Sequence, residues 1–312
     1  MMERMQMNLN LLRIFIQVAE TLNITEAAKA LFISQPAVSK AIKNLESSLR
    51  IQLFIRDKHK GLMLTEAGRE ILVLARQMKA IENSIYQIAG RENRLLSGRI
   101  KVGSFPAATT NLLSKAIAVF RAKYPLVKIE LLEGVSDQIR QWVEDRTVEL
   151  GIVASPFDSF AFETLQSDYM VAIVPADHPL AKEPMIDLSG CRDEVIFCKG
   201  GHEIAMNAIL GTYGIELREG LTVQSAETLI RMVRNGLGIG LISHFTLSSV
   251  SHDLVVKAIR PGVTRDIGII AHSFGELSPA AKEWVNVLLQ TSREPEQDKE
   301  KSTRLDRQVP GS

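Results

Sequence analysis

A chain of 312 residues is long enough for two or three domains, and 46% hydrophobic with 23% charged residues excludes a disordered or fibrous protein. No apolar run approaches the roughly 18 residues needed to cross a bilayer, and residues 1–10 hold no long apolar stretch of the kind that directs export, so a cytoplasmic protein without membrane contact is expected. The net charge of +1 hides an asymmetry: through Ser97, 14 Lys and Arg oppose 9 Asp and Glu, a net of +5, while the remainder sets 23 against 27, a net of −4. A basic first third joined to a mildly acidic body suits a nucleic-acid module attached to something else. Cys191 and Cys198 are too few for a disulfide framework and fit no common zinc spacing, so neither a metal nor a cofactor is expected.

Leu9, Leu12, Phe15, Ile16, Ala19 and Leu22 recur at helical spacing and predict a first helix with one buried stripe. The stretch Thr25 to Glu46 then reads as two short helices joined by a tight turn. Thr25 can cap the first, and Ala27, Ala28 and Leu31 give it a small apolar face. Ser34 can cap the second, which places Gln35 and Pro36 in its first turn, where proline's missing N–H costs little. Val38, Ile42, Leu45 and Leu49 bury one side of this helix, leaving Gln35, Ser39, Lys40 and Lys43 wet. Small alanines facing a helix with a polar, basic outer side describe a helix-turn-helix, whose second helix enters the major groove.

Ile51–Arg56 and Leu62–Leu64 look like two short strands around Asp57-Lys58-His59-Lys60-Gly61, a basic turn with a glycine for positive φ. That is a wing, from which Arg56, Lys58 and Lys60 can reach phosphates or the adjacent minor groove. Lys58 and Lys60 read equally well as a solvated charge run. Thr65 and Glu66 open a long helix. Its apolar residues Ile71, Leu74, Met78, Ile81, Ile85 and Ile88 are spaced 3, 4, 3, 4, 3, a heptad seam whose simplest partner is a second copy of the chain, packing against its own domain being the other reading.

Beyond a hinge at Arg91–Gly98 the pattern changes to alternating strands and helices, hence α/β with a largely parallel sheet. Strands are expected at Arg99–Gly103, Val127–Leu132, Leu150–Ala154, Tyr169–Pro175, Val195–Cys198, Leu221–Val223, Gly238–Ile242 and Arg265–Ala271. Helices are expected at Asn111–Tyr124, Gln138–Asp145, His202–Tyr213, Ala226–Asn235 and Pro279–Leu289. The charged tail from Arg293 to Ser312 is read as disordered.

Ala27-Ala28, Ser34-Gln35-Pro36-Ala37-Val38-Ser39, Ile42, Leu45-Glu46, Leu53-Phe54-x-Arg56 and Leu64-Thr65-Glu66-Ala67-Gly68 together resemble the signature of LysR-type transcriptional regulators. The resemblance covers roughly Leu9 to Leu289, sharply in the first third and loosely afterwards, apart from Asn235-Gly236-Leu237-Gly238-Ile239-Gly240. It implies a multidomain protein: an all-α winged helix-turn-helix (1–65), a long linker helix for dimerisation (66–94), a hinge (95–98) and a two-lobed α/β effector domain like a small periplasmic solute-binding protein (99–292). Lobe 1 would span about 99–168 and 265–292, and lobe 2 about 169–264. On this reading Gln35, Pro36, Ser39 and Lys43 read base edges of double-stranded DNA, while Ser34, Lys40 and Arg56, with Thr25 nearby, hold its backbone. The protein would be a bacterial homodimer or homotetramer gated by a small-molecule effector.

Ligands of open α/β sheets bind beyond the carboxyl ends of strands and between lobes. The loops in such places are Ser104-Phe105, Gly134-Val135-Ser136, Lys199-Gly200-Gly201-His202, Gln224-Ser225 and His244-Phe245. Three helix N-termini with hydroxyls, plus Lys199, favour a small anion. Ser104, Ser136 and Ser225 read equally well as ordinary caps. Two rivals remain open: a hydrolase using Cys198 and His202, and a solute-binding protein without a DNA role. Neither a G-x-S-x-G elbow nor an HExxH spacing supports an enzyme.

Overall fold

The computed structural model describes residues 8–57, 59, 61–92, 96–191, 195–198, 210–215 and 219–306. They form two compact units, Met1–Leu95 with Asp145–Thr147, and Leu96–Glu144 with Val148–Ser312.

The first unit contains α1 (Leu9–Thr21), α2 (Ile24–Leu31), α3 (Gln35–Leu49), β1 (Phe54–Asp57), β2 (Gly61–Leu64) and α4 (Glu66–Glu92). Its core joins Phe15, Val18, Ala27, Val38, Leu45, Leu53 and Phe54, with the Phe15 and Phe54 rings edge to face at 5.6 Å. The cap of α2 differs from expectation. Asn23 holds it, accepting from the Thr25 and Glu26 amides at 2.9 and 3.2 Å, because its extended backbone aims the side chain at the open helix end. Thr25 already lies inside the first turn. Ser34 caps α3 as expected, accepting from the Ala37 N–H at 3.4 Å, and Thr65 caps α4 by accepting from Gly68 at 2.9 Å.

Strand β1 begins at Phe54, three residues after the expected start at Ile51. Residues 51–53 instead close the end of α3: the Ile51 amide donates to the Glu46 carbonyl, and the Leu53 and Phe54 amides both donate to Glu46 Oε1 at 2.8 and 3.2 Å. One carboxylate thus fixes where the wing leaves the helix. The strands pair antiparallel from Phe54↔Leu64 to Asp57↔Gly61, and Gly61 has φ +76°, a left-handed value that costs glycine little. Lys58 and Lys60 lie outside the described residues.

The second unit is built on one ordered path of strands, β4-β3-β5-β12-β6-β10-β8-β9, with β11 branching from β6 and β7 pairing with β11. The strands are β3 (Gly98–Ser104), β4 (Val127–Glu133), β5 (Leu150–Ala154), β6 (Ala161–Val174), β7 (Met185–Asp187), β8 (Val195–Cys198), β9 (Glu219–Val223), β10 (Ile239–Ser243), β11 (Val255–Arg260) and β12 (Thr264–Ala271). Two halves follow from the register. Residues Ala161–Tyr169 of β6 pair with β12, and residues from Met170 on pair with β10 and β11. Within the halves, β3 lies parallel to β4 and β5, and β8 parallel to β9 and β10. The first half buries Phe120, Ile139, Ile152 and Trp284 in one cluster; the second packs both faces of its sheet, around Leu241 and Ile186 on one side and Leu229 and Ile242 on the other.

Several elements extend past their expected bounds. The helix expected from Asn111 starts at Pro106 and runs without a break through Pro106–Ala108, a π turn at Thr109–Leu113, and Ser114–Lys123. Strand β6 begins at Ala161, not Tyr169. The closing helix continues from Pro279 to Asp306, so residues 293–306 are helical where disorder was expected. Residues 202–209 of the helix expected at His202–Tyr213 lie outside the described residues.

Candidate functional site

Two surfaces emerge, one in each unit. In the first, α3 turns Val38, Ala41, Ile42 and Leu45 into the core, so its other sides face out. Gln35, Pro36, Lys40 and Lys43 are exposed and Ser39 is half-buried. Proline in the first turn lacks an N–H the helix could not use, so it fixes the start of α3 without penalty. Arg56 is exposed on β1. This surface offers amide and hydroxyl groups with three cations beside them, which suits base edges flanked by phosphates.

Helix α4, about 40 Å long at 1.5 Å per residue, has two apolar faces. Leu72 and Ala75 join the core beside α1, and Ile71 packs partly against it. Leu74, Ile81 and Ile85 are 58%, 55% and 62% exposed, and Met78 and Ile88 are exposed with them. From Leu74 on the seam therefore remains uncovered, while Ile71, expected on it, helps Leu72 and Ala75 anchor the helix to the core.

In the second unit the residues expected to meet an effector divide. Ser104 is fully buried, and its hydroxyl donates to the Phe105 carbonyl. Ser136 is buried and accepts from the Ala154 N–H. A Cβ on Gly134 would stand 2.6 Å from the Gln138 amide oxygen and 2.9 Å from the Trp142 ring, so that glycine admits close packing. Ser225 caps the Ala226–Arg234 helix, accepting from Thr228 at 3.2 Å. Val135, Gln224 and His244 are exposed, and Phe105 and Phe245 are buried edge to face at 6.0 Å. Lys199, Gly200 and His202 lie outside the described residues; Cys198 is buried.

Around His244-Phe245 the structure brings together residues that no sequence motif connects. Asp168 and Arg265 face each other across β6 and β12 and are 3% and 5% exposed. Arg265 Nε donates to Asp168 Oδ2 at 2.8 Å, and its Nη2 donates to Ser243 Oγ at 2.8 Å. Asp168 Oδ1 accepts from the amides of Phe245 and Tyr169 at 2.9 and 2.8 Å. Asn111, inside the π turn, donates to the Phe245 carbonyl at 2.8 Å and to Ser248 Oγ at 3.1 Å. The widened turn aims that amide, a common use of π segments. Tyr169 and His244 stack at 4.8 Å on the exposed side of the network. The start of the His244–Leu247 helix is thus strapped to both halves of the sheet where β6 passes between them.

Away from this site, burial pushes the Glu149 carboxyl above the ordinary carboxylate range, only partly opposed by hydrogen bonds from Ser278 at the start of the closing helix. Among the described residues no group of three or more His, Cys, Asp or Glu could hold a metal, and no helix is long and apolar enough to cross a membrane.

A winged helix-turn-helix with an exposed polar recognition face, a long apolar-seamed helix and a two-halved α/β unit define a ligand-responsive DNA-binding regulator. Similar proteins give the family. Residues 9–69 match the "Bacterial regulatory helix-turn-helix protein, lysR family" and residues 93–293 the "LysR substrate binding domain". The chain is 65% identical over 285 residues to the uncharacterized HTH-type transcriptional regulator YoaU of Bacillus subtilis (strain 168), covering 91% of this chain and 98% of that one. It is 30% identical to the transcriptional dual regulator GltC of the same organism, covering 91% and 97%. The fold matches a full-length OxyR variant from Pseudomonas aeruginosa with TM-score 0.72 at 22% identity, covering 92% and 98%, and full-length CbnR complexed with its target DNA with TM-score 0.62 at 20%, covering 91% and 100%. The chain belongs to the LysR family of transcriptional regulators: a DNA-binding regulator with an effector-binding domain, not an enzyme.

Proposed function

We propose that the protein is a sequence-specific regulator that binds promoter DNA in the cytoplasm as a homodimer or homotetramer, and that a small anionic molecule bound between its two α/β lobes controls it. Gln35, Pro36, Ser39 and Lys43 meet base edges, and Ser34, Lys40 and Arg56 hold phosphates, with Thr25, Lys58 and Lys60 at the flanks. The observation that carries this reading is the division of α3: four residues sealed in the core, and the polar residues at its start left outside. That CbnR has been solved with its target DNA supports the same placement. The uncovered seam of Leu74, Met78, Ile81, Ile85 and Ile88 supports pairing of two copies, which sets two recognition helices on one DNA face at about one helical turn or a multiple of it.

For the effector, helix starts after β3, β4 and β9 offer amides to an anion. The hydroxyls of Ser104, Ser136 and Ser225 are already engaged, so backbone amides, Gln224 and the loop at Lys199 would supply the contacts. Closure of the lobes shifts a pre-existing equilibrium of subunit arrangements by as much as the ligand's preference for one of them. Gln35 tests the DNA half of the proposal. Its amide can make two hydrogen bonds to adenine, so Gln35→Ala should cost about 1–3 kcal/mol on the preferred duplex and nothing on random DNA. Titrations on both duplexes check it; equal losses on every sequence would contradict base reading.

A further inference from the structure

Phe32 sits in the turn between α2 and α3, and 95% of its surface is exposed. Its φ is +55°, in the left-handed region. That conformation favours glycine or asparagine, and a bulky side chain adopts it at a cost. The turn is held firmly: the Phe32 amide donates to the Lys29 carbonyl and the Ile33 amide to the Ala28 carbonyl, both at 3.1 Å. Neither backbone preference nor core packing therefore selects an aromatic ring here. Its neighbour Ile33 is 39% exposed, so the turn presents an apolar tip to solvent.

The position of that tip is informative. Phe32 lies two residues before the cap Ser34 and three before Gln35, so at 3.8 Å per residue its Cα is within about 11 Å of that of Gln35. The first turn of such a helix enters a major groove about 12 Å wide. An exposed ring this close to Gln35 is within reach of the edge of that groove. The apolar group that the groove exposes is the thymine 5-methyl, and phenylalanine is one of the side chains that contact it.

We infer that Phe32 is a specificity-determining residue, which packs its ring on a thymine methyl beside the bases met by the start of α3. The inference rests on the placement of α3 in the groove and adds a contact that is apolar and outside the helix. Its effect on affinity is therefore nearly independent of salt, unlike phosphate contacts.

The test uses the full chain and a duplex that it selects from a random pool. Each thymine is replaced singly by deoxyuridine, which removes only the methyl. The wild type should lose about fourfold in affinity at one thymine per half-site, the worth of one buried methyl. Phe32→Asn, which suits the left-handed turn, should keep the fold and oligomeric state, lose affinity on the parent duplex, and be indifferent to uracil at that same position. Equal sensitivity of both proteins at every thymine overturns the contact. So does a loss of affinity in Phe32→Asn that accompanies dissociation of the oligomer, which would place the ring against protein. If Gln35→Ala loses preference while Phe32→Asn loses none, this inference alone fails; if neither does, the groove placement fails with it.

Discussion

Glutamate at both Leu74 and Ile81 should turn the protein into monomers and lower its affinity for its preferred duplex by on the order of 10²–10⁴-fold, the gain that linking two sites supplies. Both side chains lie on the seam, more than half exposed, and neither belongs to the core of the first unit. The substitutions leave the fold's own packing untouched, since Leu72 and Ala75 hold α4 in place from another face. They would instead bury two charges opposite their own copies, which an apolar seam cannot compensate. Sedimentation velocity reads the mass and a fluorescence titration the affinity. Unchanged oligomers would mean that another surface joins the subunits.

Asp168→Ala should destabilise the effector unit by about 3–5 kcal/mol, the usual consequence of leaving one member of a buried ion pair uncompensated. The loss extends beyond Arg265. The amides of Phe245 and Tyr169 lose their acceptor, so the loop that was strapped between the halves is released. Replacing Asp168 and Arg265 together by apolar residues of similar volume should recover only the part of the loss due to the stranded charge, because the Phe245 and Tyr169 amides still lack their acceptor. Urea unfolding followed by the emission of Trp142 and Trp284, both in this unit, checks the pair. A single variant as stable as the parent would show that water reaches the arginine.

The DNA-facing third is legible in the sequence because its signals are local. Val38, Ile42 and Leu45 mark the buried side of α3 at helical steps, Ser34 and Pro36 mark its start, and the heptad of α4 leaves its mark on consecutive turns. The cap of α2 lies two residues before its expected place because Asn23 and Thr25 both carry the required oxygen, and only the backbone angles choose between them. The first half of β6, Ala161 to Asp168, is half exposed and shows no apolar alternation, so nothing in it announces a strand. The Asp168–Arg265 pair spans 97 residues and exists only through the register of β6 against β12. The hydroxyls of Ser104 and Ser136 look available in the sequence because it does not show which way a serine faces in a turn.

In the proposed function, regulation depends on the polar start of α3 lying against bases, with a second copy of the chain beside it. Selection of duplexes by the purified protein from a random pool, followed by footprinting of the winners, tests this most directly. The expected result is an enriched sequence with two half-sites related by a dyad, protected on one face of the DNA about one helical turn or a multiple of it apart, and bound with an affinity that falls steeply as salt rises. A pool that remains random after selection, or a single unpaired half-site, would contradict it.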